Sequence, residues 1–215
     1  NLAAAVCTAI SPYSKNKGVL VVMNNTVNAA GEVTKTNTLS LDTFKSLEFG
    51  ALGVVDNDRV IFHRDVINRQ YIPTDGIETD VDLIKCAAGM DSKFIEYSVD
   101  TGAKGIVLEA LGRGNVPPKM IEGIKYAIDN GVFVVVVSRC PTGRVLDTYG
   151  YEGGGKQLRN MGIILGGNLP GQKARIKLML ALSVTRDMEK LRRIMEQGEY
   201  YQNIFVHNSY CLNCL

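Results

Sequence analysis

The chain has 215 residues, 46% of them hydrophobic, and 24 Lys and Arg face 22 Asp and Glu for a net charge of +2. Such a composition suits one or two globular domains with a real core, and near-neutrality excludes the cationic field that draws a protein onto a nucleic-acid backbone. The longest apolar runs, such as Val132–Val137, are far shorter than the roughly 20 residues a membrane-spanning helix needs, so neither nucleic acid nor a membrane is an expected partner.

The first ten residues, NLAAAVCTAI, place apolar side chains at helical spacing. They predict a helix already under way, in a chain expected to begin inside a domain. Gly18–Met23 is a continuous apolar run, which predicts a strand buried on both faces and broken by Asn24 and Asn25. Residues 32–39 are rich in Thr. Leu52–Val55 and Arg59–Phe62 flank Asp56-Asn57-Asp58, the pattern of a hairpin turn. Residues 1–64 therefore read as the end of a mixed α/β unit. Residues 65–80, with Pro73, Asp75-Gly76 and no clear periodicity, read as a linker.

Beyond residue 80 the pattern changes. Strand-like runs at Val81–Ile84, Gly105–Leu108 and Val132–Val137 alternate with helical patterns at Ser92–Thr101 and Pro118–Asn130, and this alternation indicates a parallel sheet. Asn130-Gly131 supplies a left-handed stop, and Pro118 sits where a first-turn proline is tolerated. Two further helices are expected, Gln172–Ser183 and Asp187–Glu196. In the first, Ile176, Met179, Leu180 and Ser183 share a side that Leu178 and Leu182 extend, which predicts an inward-facing helix. Asp187 is the expected N-cap of the second. Ligands of parallel sheets collect beyond the carboxyl ends of the strands, where Glu109–Pro117 and Ser138–Gly143 form polar loops.

Five cysteines, an odd number scattered through apolar segments, argue against a disulfide framework and for mostly buried thiols. His207, Cys211 and Cys214 offer three metal or redox ligands, but one CxxC lacks the fourth ligand of a closed zinc site, so an irregular tail is expected from about residue 198. The stretch GYEGGGKQ, Gly150–Gln157, matches P-loop spacing at Gly150, Gly155 and Lys156. However, Gln157 stands where a hydroxyl should bind magnesium, and Arg144–Tyr149 makes a poor preceding strand. A turn is the simpler reading.

Five segments, taken in order, are more specific. They are Val33-Thr-Lys-Thr-Asn-Thr38, Asp42-Thr-Phe-Lys-Ser46, Gly112-Arg-Gly-Asn115, Pro141-Thr-Gly143 and Gln172-Lys-Ala-Arg175. In this order and spacing the chain resembles the bacterial-type L-asparaginase and glutaminase-asparaginase family, from Asn1 to about Glu196. The resemblance implies an α/β fold: the end of a larger N-terminal α/β domain over residues 1–64, then a smaller C-terminal α/β domain with a parallel sheet over residues 81–215. It implies hydrolysis of L-asparagine, with L-glutamine as a second candidate substrate. It also implies a homotetramer whose sites are shared between subunits, and no metal or organic cofactor.

The family's nucleophile is a Thr in a Thr-Gly-Gly-Thr loop, and a second Thr pairs with an Asp further on. The chain is expected to begin after both, so no residue here is assigned as nucleophile, and the chain alone is expected to be inactive; the alternative reading is a truncated α/β fragment that acts only as a binding or interaction module. Lys35 matches the family's active-site lysine, which can help a hydroxyl lose its proton or steady developing negative charge. By its own pattern the segment puts Thr34, Thr36 and Thr38 on one face and Lys35 and Asn37 on the other, as a solvated edge strand with a protective lysine would. Asn115 matches a substrate-contacting Asn in a Gly-rich turn. Glu152 matches a Glu that faces the substrate's α-amino group from a neighbouring protomer, a charge-assisted contact suited to an amino acid. The sequence leaves the compartment open.

Overall fold

The computed structural model describes residues 1–66 and 69–196, and the tail with His207, Cys211 and Cys214 lies outside them. The chain forms two compact units, Asn1–Arg69 and Gln70–Leu215.

The first unit opens with α1 (Leu2–Ile10), followed by β1 (Leu20–Met23), β2 (Thr26–Ala29), β3 (Thr34–Lys35), β4 (Phe44–Lys45), β5 (Gly53–Asp56) and β6 (Arg59–Phe62). Strands β1, β2, β5 and β6 make an antiparallel sheet in that order. Asn24 and Asn25, with φ of 50° and 56°, close the β1–β2 hairpin. A two-residue loop with positive φ at both positions matches the twist of the strands, and Asn tolerates it. The hairpin expected around Asp56-Asn57-Asp58 forms, with Asp56 opposite Arg59 and Asn57 at φ 52°. Helix α1 packs Ala4 on Val27 and Val55, with Leu20, Val22, Val60 and Phe62 around them.

Strand β1 departs from the expectation of burial on both faces. It is an edge strand, and all four of its residues are half-buried. An apolar run alone does not distinguish a central strand from an edge strand with one covered face.

The second unit alternates β7 (Val81–Lys85), α2 (Lys93–Asp100), β8 (Gly105–Ala110), α3 (Ile121–Asp129), β9 (Phe133–Ser138), α4 (Gly155–Asn160), β10 (Ile164–Leu165), α5 (Gly171–Val184) and α6 (Met188–Glu196). The sheet is parallel, in the order β10-β9-β8-β7. The period-2 alternation of β8 and β9 divides the core. Ile106, Leu108, Val134 and Val136 join Ile95, Met120, Ile124 and Leu158 on one face. Val107, Val135 and Val137 join Ile164, Leu178, Leu182 and Leu191 on the other. Each fully buried aliphatic side chain contributes about 1.5–3 kcal/mol against exposure, so these two central strands anchor the unit.

Gly131 takes φ 74° after α3, and Asp187 Oδ1 accepts from the Lys190 backbone N–H at 2.9 Å, the expected stop and cap. Pro118–Met120 is a 3₁₀ turn ahead of α3. Helix α5 departs in part from expectation. Its buried stripe is Gly171, Ala174, Leu178, Ala181 and Leu182 with Met179, whereas Ile176 is 52% exposed. Leu178, Met179 and Leu182 face inward as expected, while Gly171, Ala174 and Ala181 complete the stripe in place of Ile176, Leu180 and Ser183. Residues 74–78 fasten to α5 and the segment after it: Thr74 Oγ1 lies 2.8 Å from Ser183 Oγ, the Glu78 N–H donates to the Met179 carbonyl (3.1 Å), and Glu78 pairs with Arg186 (2.5 Å).

Candidate functional site

Lys35 lies in the first unit, on the short antiparallel pair formed by β3 and β4, where Lys35 is opposite Phe44 and Thr34 opposite Lys45. Its side chain is exposed, with Nζ 5.5 Å from the centre of the Phe44 ring. Among the described residues it has no carboxylate within ion-pair distance. The strand stops after two residues because Asn37 turns the chain, its Oδ1 accepting the N–H groups of Leu39 (2.8 Å) and Ser40 (3.0 Å). The alternation of Thr34, Thr36 and Thr38 therefore does not continue as a strand. Thr43, 4% exposed, holds the turn from the other limb: its Oγ1 accepts from the Asn37 N–H at 2.8 Å and donates to the Asn37 carbonyl. Thr36 donates to the Thr43 carbonyl through both its N–H and its hydroxyl, each at 2.8 Å. At the tip, hydrogen bonds from Lys45 and then Ser40 hold the Asp42 carboxyl down to about 2.

Asn115 and Glu152 lie in the second unit, in loops that follow β8 and β9. Leu111 and Asn115 exchange backbone hydrogen bonds of 2.8 and 2.9 Å, closing a tight turn through Gly112 and Gly114. Gly114 has φ 109°, and a Cβ there would come within 3.2 Å of Val145. Ser138 Oγ donates to the Gly112 carbonyl (2.6 Å), and the Leu146 N–H donates to the Arg113 carbonyl (3.0 Å). The polar loops after β8 and β9 are thus stitched together at the carboxyl ends of their strands, where parallel sheets bind ligands.

The Val116 N–H donates to the Gly153 carbonyl at 2.9 Å. Asn115 and Glu152 each immediately precede one partner of that bond, which joins the two loops that carry them. Asn115 Oδ1 is buried and accepts no hydrogen bond among the described residues, and Glu152 is exposed. Gly153 has φ 80°, and a Cβ would lie 2.2 Å from the Val116 carbonyl oxygen, so only glycine fits beneath the loop. The rings of Tyr149 and Tyr151 stack with centroids 5.5 Å apart.

This geometry disposes of the phosphate cradle. The N–H groups of Gly153, Gly154 and Lys156 donate to Gln157 Oε1 (2.7 Å), the Tyr151 carbonyl (2.9 Å) and the Tyr149 carbonyl (3.0 Å). Those donors are spent within the loop, and Gln157, where a P-loop needs a hydroxyl, closes it from inside.

Sequence reading missed the side chains that support these loops: Thr43 and Asn37 around the turn after Lys35, Ser138 beneath Gly112, and Arg64 with Glu32. Asn37 and Ser138 fall inside segments whose pattern is visible, but nothing in a linear pattern says which carbonyl a hydroxyl will reach. Of the three described cysteines only Cys86 is buried, and burial pushes its thiol up to about 11; Cys7 is half-buried and Cys140 exposed.

Residues 1–68 match the N-terminal asparaginase domain, and residues 80–195 match the glutaminase/asparaginase C-terminal domain. An L-asparaginase of Bacillus licheniformis is 38% identical over 183 residues, covering 85% of this chain and 57% of that protein. L-asparaginase 2 of Escherichia coli is 35% identical over 209 residues, with 92% of this chain and again 57% of the relative covered. One component of the glutamyl-tRNA(Gln) amidotransferase of Methanopyrus kandleri is 36% identical over 176 residues, which are 76% of this chain and 37% of that protein. The chain therefore spans little more than half the length of the asparaginases it matches. Two domain matches in tandem and over a third identity across most of its residues make this chain a member of the glutaminase/asparaginase family.

Proposed function

We propose that a protein carrying this chain is an amidohydrolase of the L-asparaginase type, converting L-asparagine and water to L-aspartate and ammonia. The observation that supports it most is the main-chain bond from Val116 to Gly153, which joins the loop of Asn115 to the loop of Glu152. An amide oxygen without a donor and an exposed carboxylate on the joined loop are both acceptors, suited to an ammonium group, which has only donors to offer. A free amino acid presents such a group at its α-carbon.

In this reading a Thr from the segment outside this chain attacks the side-chain amide carbon. Ammonia leaves, and water hydrolyses the acyl-enzyme to release aspartate and the Thr hydroxyl. Lys35 assists proton transfer or steadies the charge that develops on oxygen. Asn115 and Glu152 orient the substrate from a neighbouring protomer of a homo-oligomer. Residues 1–64 act as the remainder of the nucleophile-bearing domain, 65–80 as a linker and 81–215 as the second domain. A second reading, amide cleavage within an amidotransferase, draws on the similarity to the glutamyl-tRNA(Gln) amidotransferase component.

The test is ammonia release from L-asparagine and L-glutamine by two proteins, this 215-residue chain and the same chain preceded by its nucleophile-bearing segment. The longer protein is expected to hydrolyse asparagine and the chain alone to be inactive. Ammonia release by the chain alone, or none by the longer protein from either amide, would overturn the reading. Turnover of glutamine alone would favour the amidotransferase.

A further inference from the structure

We infer that Arg64 is a positioning residue for Lys35, an inference that rests on the role of Lys35 proposed above. Strands β3 and β4 contribute two residues each to a sheet of their own, and an isolated two-stranded hairpin is at best marginally stable in water. Backbone pairing alone therefore does not hold a lysine in place. Residues 32–50 leave the main sheet after β2 and return before β5, and Lys35 rides on this excursion.

Arg64 closes the base of the excursion. Its Nη1 donates to Glu32 Oε1 at 3.4 Å and its Nη2 to Glu32 Oε2, so the fork grips the foot three residues before Lys35. The same guanidinium reaches the other foot, Nη2 donating to the Gly50 carbonyl and Nε to the Ala51 carbonyl at 3.2 Å. Ser46, just after β4, donates to Glu32 Oε2 at 3.5 Å, and the Gly50 N–H returns to the Ser46 carbonyl at 3.0 Å. Arg64 itself follows β6, whose register with β5 fixes it against the sheet. One planar fork thus ties both limbs of the lysine-bearing hairpin to the main sheet, a task the point charge of a lysine cannot perform.

The test is a double-mutant cycle on kcat for L-asparagine in the full-length enzyme, normalised to folded, assembled protein by size and far-UV circular dichroism. Displacing a catalytic group by about 1 Å can cost on the order of 100-fold, so Arg64→Ala is expected to lower kcat about 10- to 100-fold with KM nearly unchanged. In a Lys35→Met background Arg64→Ala is expected to cost no further activity, because the group it positions is gone. Arg64→Lys is expected to restore only part of the rate. Should Arg64→Ala fail to fold, Glu32→Gln, which keeps the side-chain volume and weakens the grip, is carried through the same cycle. Equal losses in both backgrounds, or no loss where Lys35 is present, would overturn the inference and leave the role of Lys35 standing. Wild-type turnover in Lys35→Met alone would remove both.

Discussion

The two regions that carry the candidate site residues are built in opposite ways. Lys35 sits on a hairpin with two-residue strands, held at its tip by Thr43 and Asn37 and at its base by Arg64 and Glu32. Asn115 and Glu152 sit on loops above buried parallel strands, held by main-chain bonds at Leu111–Asn115 and Val116–Gly153 and by glycines with positive φ at 112, 114 and 153, of which Gly153 leaves no room for a Cβ. The first arrangement depends on side chains, so remote substitutions can loosen it. The second depends mainly on the backbone, with Ser138 and Gln157 as side-chain supports, so Gly153 is a weak point. Both tasks need a fixed geometry, proton transfer because a displacement of about 1 Å can cost on the order of 100-fold and recognition because preorganisation lowers the cost of binding; the two regions reach it by different means.

The largest expected effect belongs to the hairpin. Lys35→Met in the full-length enzyme should lower kcat by about 10²- to 10⁴-fold, the range of general acid–base assistance, with the circular dichroism spectrum unchanged. Wild-type turnover would return Lys35 to a protective lysine on an exposed hairpin.

Next comes the backbone-built region. Gly153→Ala forces a Cβ toward the Val116 carbonyl at a positive φ, a strain of about 1–3 kcal/mol. It should raise KM for asparagine roughly tenfold or more and lower the melting temperature, with kcat at saturation less affected. The comparison breaks if Gly153→Ala matches wild type in KM, since the loop would then not depend on its glycine.

The parts of this molecule legible in the sequence are those fixed by local chemistry. The apolar runs of β8 and β9, the Gly131 stop and the Asp187 cap need only a few neighbouring residues to be specified, and each appears where its pattern lies. What escaped depends on distant partners. Whether Leu20–Met23 is central or at an edge depends on which strands flank it, and which face of α5 is buried depends on which of its residues meet the sheet. Strand β10 has two residues, too few for any periodicity. The site follows the same rule. The candidates Lys35, Asn115 and Glu152 stand out only through motifs, while Arg64, 32 residues from Glu32, carries no signal until the chain is folded. The orphaned oxygen of Asn115 is likewise a property of its surroundings.

A smaller effect is expected from Glu152→Gln, which keeps the size of the side chain and removes its charge. Hydrogen bonds to charged groups contribute about 1.5–3 kcal/mol, so KM should rise about tenfold while kcat stays within a few-fold, because the group orients substrate and moves no proton. Removing the substrate's α-amino group should cost the wild type far more than it costs Glu152→Gln. Equal losses in the two enzymes would mean that Glu152 does not face that group.

The smallest effect separates the two regions by pH. The Asp42 carboxyl titrates near 2 in the folded hairpin against an ordinary value of 3.8, chiefly because Lys45, 2.8 Å away, donates to it. A depressed folded value means that its contribution is fully present above about pH 4 and fades as pH falls from about 4 toward 2. The pair is exposed, so the contribution is small and screened by salt. Carboxyl-carbon NMR should give an Asp42 midpoint near 2 that moves up toward 3.8 in Lys45→Met. Amide exchange over the same acid range should show the hairpin loosening more than the Asn115 and Glu152 loops, after correction for intrinsic rates, since the bonds at Leu111–Asn115 and Val116–Gly153 join main chain to main chain. An Asp42 midpoint already at 3.8 in the wild type would remove the acid sensitivity assigned to the hairpin and, with it, this way of telling the two halves apart.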